Sequence, residues 1–257
     1  MVGGRVTAVG SVRSSAWVEI VGVAGSGKST LTDALAGHGA DWRVADSLHT
    51  RAPAHWPYVL RALPSAARVA RLGVREGPAL TWDELKFVMY VTEWERFLRT
   101  HEIFGRGCTI LDQGPVFALA RLLWTEKPVT LTRRFEVWVE EMLERWSRSL
   151  TAILWLDAPA DVLIGRINGR SQPHEAKGVA ASTAADVVRR HRAAYDRLFD
   201  VLGRLGRPPV LSFDTSVVPV SAIADAVAAF IADGDRRKRV LQPEGNAGQH
   251  AHGVISA

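Results

Sequence analysis

The chain has 257 residues, 47% of them apolar and 23% charged, with a formal net charge of +5 and a pI near 9.8. That length suits one large α/β domain or two small ones, and the composition is that of a globular protein rather than a disordered or fibrous one. A lone cysteine, Cys108, excludes an internal disulfide, and no uncharged apolar stretch is long enough to cross a bilayer, so a cytoplasmic location with no membrane contact is expected.

Residues 1 to 15 are rich in Gly, Ser and Val without a period and are expected to be disordered. The apolar run from Trp17 to Val23 reads as a strand. It leads into Gly22, Val23, Ala24, Gly25, Ser26, Gly27, Lys28, Ser29 and Thr30, which fit a phosphate-binding P-loop. Small residues there let consecutive backbone N–H groups curl around phosphate oxygens, Lys28 reaches the β- and γ-phosphates, and the Ser29 hydroxyl is placed to ligate Mg²⁺. A helix over Lys28 to Ala36, ending at Gly37, turns its positive end toward the phosphates. ATP and Mg²⁺ are therefore the expected cofactors.

A second strand, Trp42 to Asp46, ends in polar residues facing the acceptor side of a cleft, where Asp46 would hold a hydroxyl and Arg51 an anionic group. His49 and His55 read as surface residues. Next come a helix pair interrupted at Pro64, from about Trp56 to Leu72, and a helix from Trp82 to His101. Trp82, Trp94, Trp138 and Trp146 read as core or cleft packing.

The third strand, Cys108 to Asp112, ends in a carboxylate and breaks into the turn Gln113-Gly114-Pro115. Ligands of an open parallel sheet bind beyond the carboxyl ends of its strands. Asp112 is thus a candidate to orient Mg²⁺ or to take a proton from an attacking hydroxyl, and the residues leave both roles open beside the plainer one of a helix cap. Helices over Val116 to Trp124 and Leu131 to Arg148 follow, then a strand from Ala152 to Asp157 and a helix from Ala160 to Asn168. Asp157 reads as a cap for that helix. Arg166 and Arg170 stand one turn apart ahead of a polar, Gly-containing segment at about 169 to 182, a candidate lid carrying cations to a migrating phosphate. A helix from Ala184 to Leu202, a strand from Val210 to Phe213 and a helix from Val220 to Ala232 complete five strands and the domain, 16 to 232. Residues 233 to 257 are expected to be a disordered tail. Arg236, Arg237, Lys238 and Arg239 lie in it, and without them the net charge falls from +5 to +1, so nucleic acid is not an expected partner.

Over about residues 17 to 232 the chain resembles the P-loop nucleoside and nucleotide kinases, most closely the thymidylate kinase-like group. The likeness rests on the P-loop, Thr50-Arg51-Ala52-Pro53, Leu111-Asp112-Gln113, Leu154-Trp-Leu-Asp157-Ala-Pro159 leading into Arg166-Ile-Asn-Gly-Arg170, Tyr195, and Phe213-Asp214-Thr215-Ser216. It implies a three-layer α/β/α P-loop NTPase fold with a five-stranded parallel sheet and a helical lid and acceptor region. It also implies an ATP-dependent kinase, with Thr215 near the adenine base. The family pattern has Glu where this chain has Ala52 and Arg where it has Gln113, which favours a neutral acceptor hydroxyl over a phosphate. Alternatives from other classes are a nucleotide-dependent switch and a nucleic-acid end kinase, and homodimerisation is left open.

Overall fold

A computed structural model describes residues 16–39, 41–49, 52–76, 80–101 and 107–241. Strand β1 (Ala16–Gly22) is buried at all seven positions, as a strand covered on both faces must be. Then follow α1 (Lys28–Ala36), β2 (Trp42–Val44), α2 (Trp56–Glu76), α3 (Trp82–His101), β3 (Cys108–Asp112), α4 (Pro115–Leu123), α5 (Arg133–Ser147), β4 (Ala152–Asp157), α6 (Ala160–Asn168), α7 (Ala181–Leu205), β5 (Val210–Asp214) and α8 (Val220–Leu241). The sheet is parallel throughout, in the order β2-β3-β1-β4-β5. Val18 lies between Ile110 and Ala152, which fixes β1 at the centre. The chain leaves β1 toward β2 and β4 toward β5, so the connections diverge and a crevice opens beyond the carboxyl ends of the central strands.

Side chains of β1 alternate between two cores. Ala16, Val18 and Ile20 pack with Leu31, Leu35, Ile223 and Val227 from α1 and α8. Trp17 and Val21 face the larger cluster built by α2, α3, α4, α5 and α7. The result is the expected three-layer α/β/α arrangement. Among the described residues no helix is long and apolar enough to cross a membrane.

Several elements depart from the sequence expectation. α2 runs unbroken through Pro64. Pro64 is exposed, so the carbonyl it leaves without a partner, on exposed Leu60, can be hydrated. Trp82 is 58% exposed rather than buried, because Thr81 and Glu84 form a capping box that places it at the first helical position, ahead of the apolar stripe. Trp94, Trp138 and Trp146 are buried as expected. α8 continues to Leu241, so 233 to 241 are helical rather than disordered. Gly234 costs about 1 kcal/mol against Ala there. The expectations for residues 1 to 15 and for the last part of the tail lie outside the described residues.

Candidate active site

The turn after β1 is shaped by close approach and by backbone conformation. A Cβ on Gly22 would stand 2.3 Å from the Leu156 carbonyl oxygen, and Gly25 and Gly27 take φ values of 86° and 91° that side-chain-bearing residues avoid. Val23 is buried against Ala158, Leu163 and Val188. Gly27 caps α1 without a side chain, so the first-turn amides, which have no intrahelical acceptor, open outward. The Ser26 hydroxyl is buried without a hydrogen-bond partner. This arrangement fits a polyphosphate.

Lys28 Nζ donates to the carbonyls of Gly22 at 2.9 Å and Val23 at 3.0 Å. Burial pulls its ammonium down to about 8, with Arg170 adding to the effect and Asp112 opposing it. Burial pushes the Asp112 carboxyl upward against the pull of Lys28. Asp112 does not cap α4. That place belongs to Glu19, whose carboxyl group accepts the N–H groups of Val116 and Phe117 at 3.0 and 2.8 Å. Gln113, directly after Asp112, has a φ of 57°.

Three cavities lie along the carboxyl edge of the sheet. One of about 350 Å³ is bordered by Gly25, Thr30, Arg166, Arg170, Thr215 and Val220. A second, of about 510 Å³, meets Ala24, Lys28, Ser29, Asp112, Arg170 and His174. The third, of about 760 Å³, opens under the loop after β2, against Ser47, His49, Phe87, Met89 and Tyr90. Arg170 borders the first two, while Asp112, Gln113 and Arg121 border the last two. Ser29 and Asp112 face one space, so they suit a Mg²⁺ held mainly by phosphate oxygens. Among the described residues no group of three His, Cys, Asp or Glu surrounds a single point.

Arg166 and Arg170, one turn apart in sequence, are split. Arg166 donates to the Gly25 carbonyl at 3.2 Å, to Thr215 Oγ1 at 2.9 Å and to the Thr215 carbonyl at 2.9 Å, pinning the β5–α8 turn to the P-loop. Arg170 alone of the two reaches the Lys28 cavity. The segment between α6 and α7 is fastened to α7 through Glu175, which meets His191 at 2.7 Å and Arg190 at 3.0 Å. Burial takes the His191 ring down to about 4, so it is neutral near pH 7. Asp157 binds Arg192 at 3.0 Å instead of capping α6, whose N-cap is Pro159. The α6 first turn begins beyond its reach, and the guanidinium is the stronger partner.

Asp46 is exposed and does not border the third cavity; its carbonyl accepts the Trp94 indole N–H at 2.9 Å. Ser47 and His49 stand at that wall instead. His49 is exposed, as expected, and its backbone amide donates to His55 Nδ1 at 2.9 Å while the two rings stack at 6.0 Å. Arg51 lies outside the described residues. Sequence reading passed over Glu19 and Arg121, each the one charged residue in an otherwise apolar element, and that isolation was the available signal.

No protein-family model matches the chain, and no curated protein matches it. Among solved structures similar to it are three of a deoxyadenosine kinase from M. mycoides, with bound dATP, with the products dCMP and a flexible dCDP, and with bound dCTP. They share 10%, 11% and 11% identity at TM-scores of 0.48, 0.47 and 0.48, each alignment covering 84% of this chain and 99% of the other.

Proposed function

We propose that the protein is an ATP-dependent phosphotransferase that passes the γ-phosphate to a small molecule, a nucleoside, nucleotide or related metabolite. One observation carries the reading: Asp112 stands in the wall between the cavity that holds the P-loop lysine and the larger cavity beside it.

In this reading the first-turn amides of α1, Lys28 and Arg170 face the phosphate oxygens, and the space beside Thr215 and Val220 takes the base. Ser29 would hold Mg²⁺, with Asp112 orienting it only through water, and the ion would supply charge neutralisation on the β- and γ-phosphates. The acceptor oxygen attacks the γ-phosphorus as the bond to the β–γ bridging oxygen breaks, ADP departs, and the hydroxyl proton passes to Asp112. Burial makes that carboxylate a better base than an exposed one. A hydroxyl suits the wall better than a phosphate, because the carboxylate repels an anion and accepts a proton. Phe87, Met89 and Tyr90 beside Ser47 and Gln113 suit an acceptor with one apolar ring face and a polar edge. The catalytic unit is residues 16 to 241, and the cytoplasm is its proposed location.

The test is ADP release from Mg-ATP across a library of nucleosides, nucleotides and hydroxylated metabolites, with wild type, Lys28→Ala and Asp112→Asn. The reading expects one acceptor class to stimulate wild type and a loss of about a hundredfold or more with Asp112→Asn. Slow hydrolysis without any phosphorylated small product would point instead to a nucleotide-dependent switch.

A further inference from the structure

Helix α4 is apolar along its length apart from Arg121. This residue is half-buried, and it borders both the Lys28 cavity and the cavity under Ser47 and Tyr90, a position shared only by Asp112 and Gln113 among the described residues. Among those residues it takes part in no ion pair or hydrogen bond, and its guanidinium carbon lies 5.3 Å from the centroid of the Trp124 ring. The ring is itself clamped. Trp124 stacks on His191 at 4.0 Å and meets Phe117 edge-on at 5.8 Å. A fixed indole under the side chain restricts where the guanidinium can go, and a half-buried cation without a carboxylate is poised for an anion that arrives with a ligand.

Charge bookkeeping along the cleft favours a place for that anion. Arg166 is tied to Thr215 and Gly25 on the base side. Lys28 and Arg170 serve the Lys28 cavity from the P-loop and lid sides. Of the cations along the cleft only Arg121 borders both cavities, since Lys28 and Arg170 stay on the P-loop side and Lys86 is paired with Asp83 in the larger one, and its field reaches His174 across the Lys28 cavity.

We propose that Arg121 is a catalytic residue of the transfer described above, its guanidinium donating hydrogen bonds to the equatorial oxygens of the phosphoryl group as it crosses from one cavity to the other. The inference rests on the phosphotransferase reading. The bond and proton changes are unaltered, since Arg121 keeps its protons and supplies only charge and geometry. Were it an anchor for an anionic group of the acceptor, it would belong deep in the larger cavity rather than at the shared wall.

The test uses Mg-ADP, alone and with aluminium fluoride, which copies the charge and shape of the migrating group and needs no known acceptor. Calorimetry on wild type should find Mg-ADP bound about a hundredfold more tightly with aluminium fluoride present. Arg121→Met keeps an apolar stem over Trp124. It should bind Mg-ADP alone within about threefold of wild type, which also reports that the fold is intact, while the fluoride effect falls below about tenfold. Arg121→Lys keeps the charge without the fork and should fall between the two. The inference is overturned if Arg121→Met or Arg121→Lys keeps the full fluoride effect, or if wild type binds Mg-ADP with no fluoride effect at all. Wild type that ignores Mg-ADP would instead overturn the phosphotransferase reading itself.

Discussion

Glu19 Oε1 accepts the amide N–H of Phe117 at 2.8 Å, so a carboxyl group in the central strand caps a helix that starts almost a hundred residues later. Its other oxygen takes the Val116 amide at 3.0 Å. These bonds hold the first turn of α4, and with it the Asp112-Gln113 corner, against β1. Gly114 leaves room for this, since a Cβ there would stand 2.5 Å from the Glu19 carboxyl carbon. The side chain is fully buried, and burial outweighs both hydrogen bonds to push the carboxyl up to about 8.

That shift makes folding pH-dependent. The folded pKa is raised, so the folded state keeps a proton that the unfolded chain releases, and the stabilisation present below about pH 4.5 is lost as pH climbs through about 8. Glu19→Gln cannot titrate and strands one amide, at a cost of about 1 to 3 kcal/mol. Urea unfolding should find the variant less stable than wild type at pH 5.5, with the gap narrowing by pH 8.5. Parallel pH profiles would show that Glu19 carries no such proton.

Gln113 occupies the left-handed region, φ 57°, between Asp112 and Gly114. A β-branched residue fits poorly there. Gln113→Val should lose about 1 to 3 kcal/mol of stability, whereas Gln113→Gly should stay within about 1 kcal/mol of wild type because relief of strain offsets unfolded-state entropy. If chemical denaturation finds the two variants equally stable, the corner is not held in that conformation.

Lys28 should take up a proton when phosphate binds. Its free ammonium sits at about 8, and an anion alongside raises that value. At pH 8.5, calorimetry of Mg-ADP binding in two buffers of different ionisation enthalpy should register net proton uptake, absent in Lys28→Met. Identical enthalpies in both buffers for wild type would remove Lys28 from the phosphates.

Arg166 grips Thr215 and Gly25, and because the proposed function puts the base beside Thr215, its loss should separate base from phosphate recognition. Arg166→Ala is expected to weaken ADP by about tenfold, the equivalent of about 1.4 kcal/mol. Magnesium tripolyphosphate, which has no base, should bind within about threefold of wild type. Equal losses for both probes would place Arg166 on the phosphates.

Much of the scaffold was legible because its punctuation is local. Gly37 stops α1, Asp112 ends β3 before Gly114 and Pro115, and Pro159 opens α6, so those boundaries need no tertiary information. Pro64 misled because whether a proline breaks a helix depends on which face it occupies, and only packing on α3 decides that for α2. The P-loop was readable as a pattern, and so was the carboxylate closing β3. The split between Arg166 and Arg170 was not, since the partner of Arg166 comes from the far end of the sheet. Nor was the Trp124–His191–Glu175 contact, which joins three separate elements. Glu19 was visible as a charge in a buried strand, yet the amides it serves lie on α4 and become neighbours only when β1 pairs with β3.

The proposed function stands or falls on the turn between β1 and α1 holding a triphosphate against Lys28. Its most direct test is the dissociation constant of Mg-ATP for wild type and Lys28→Ala, measured by calorimetry at pH 7. Wild type should bind saturably and one to one, and the variant should lose about ten- to a hundredfold in affinity, as expected for a hydrogen-bonded charge contact. Equal affinities in the two proteins, or no heat of binding to folded wild type, would contradict it.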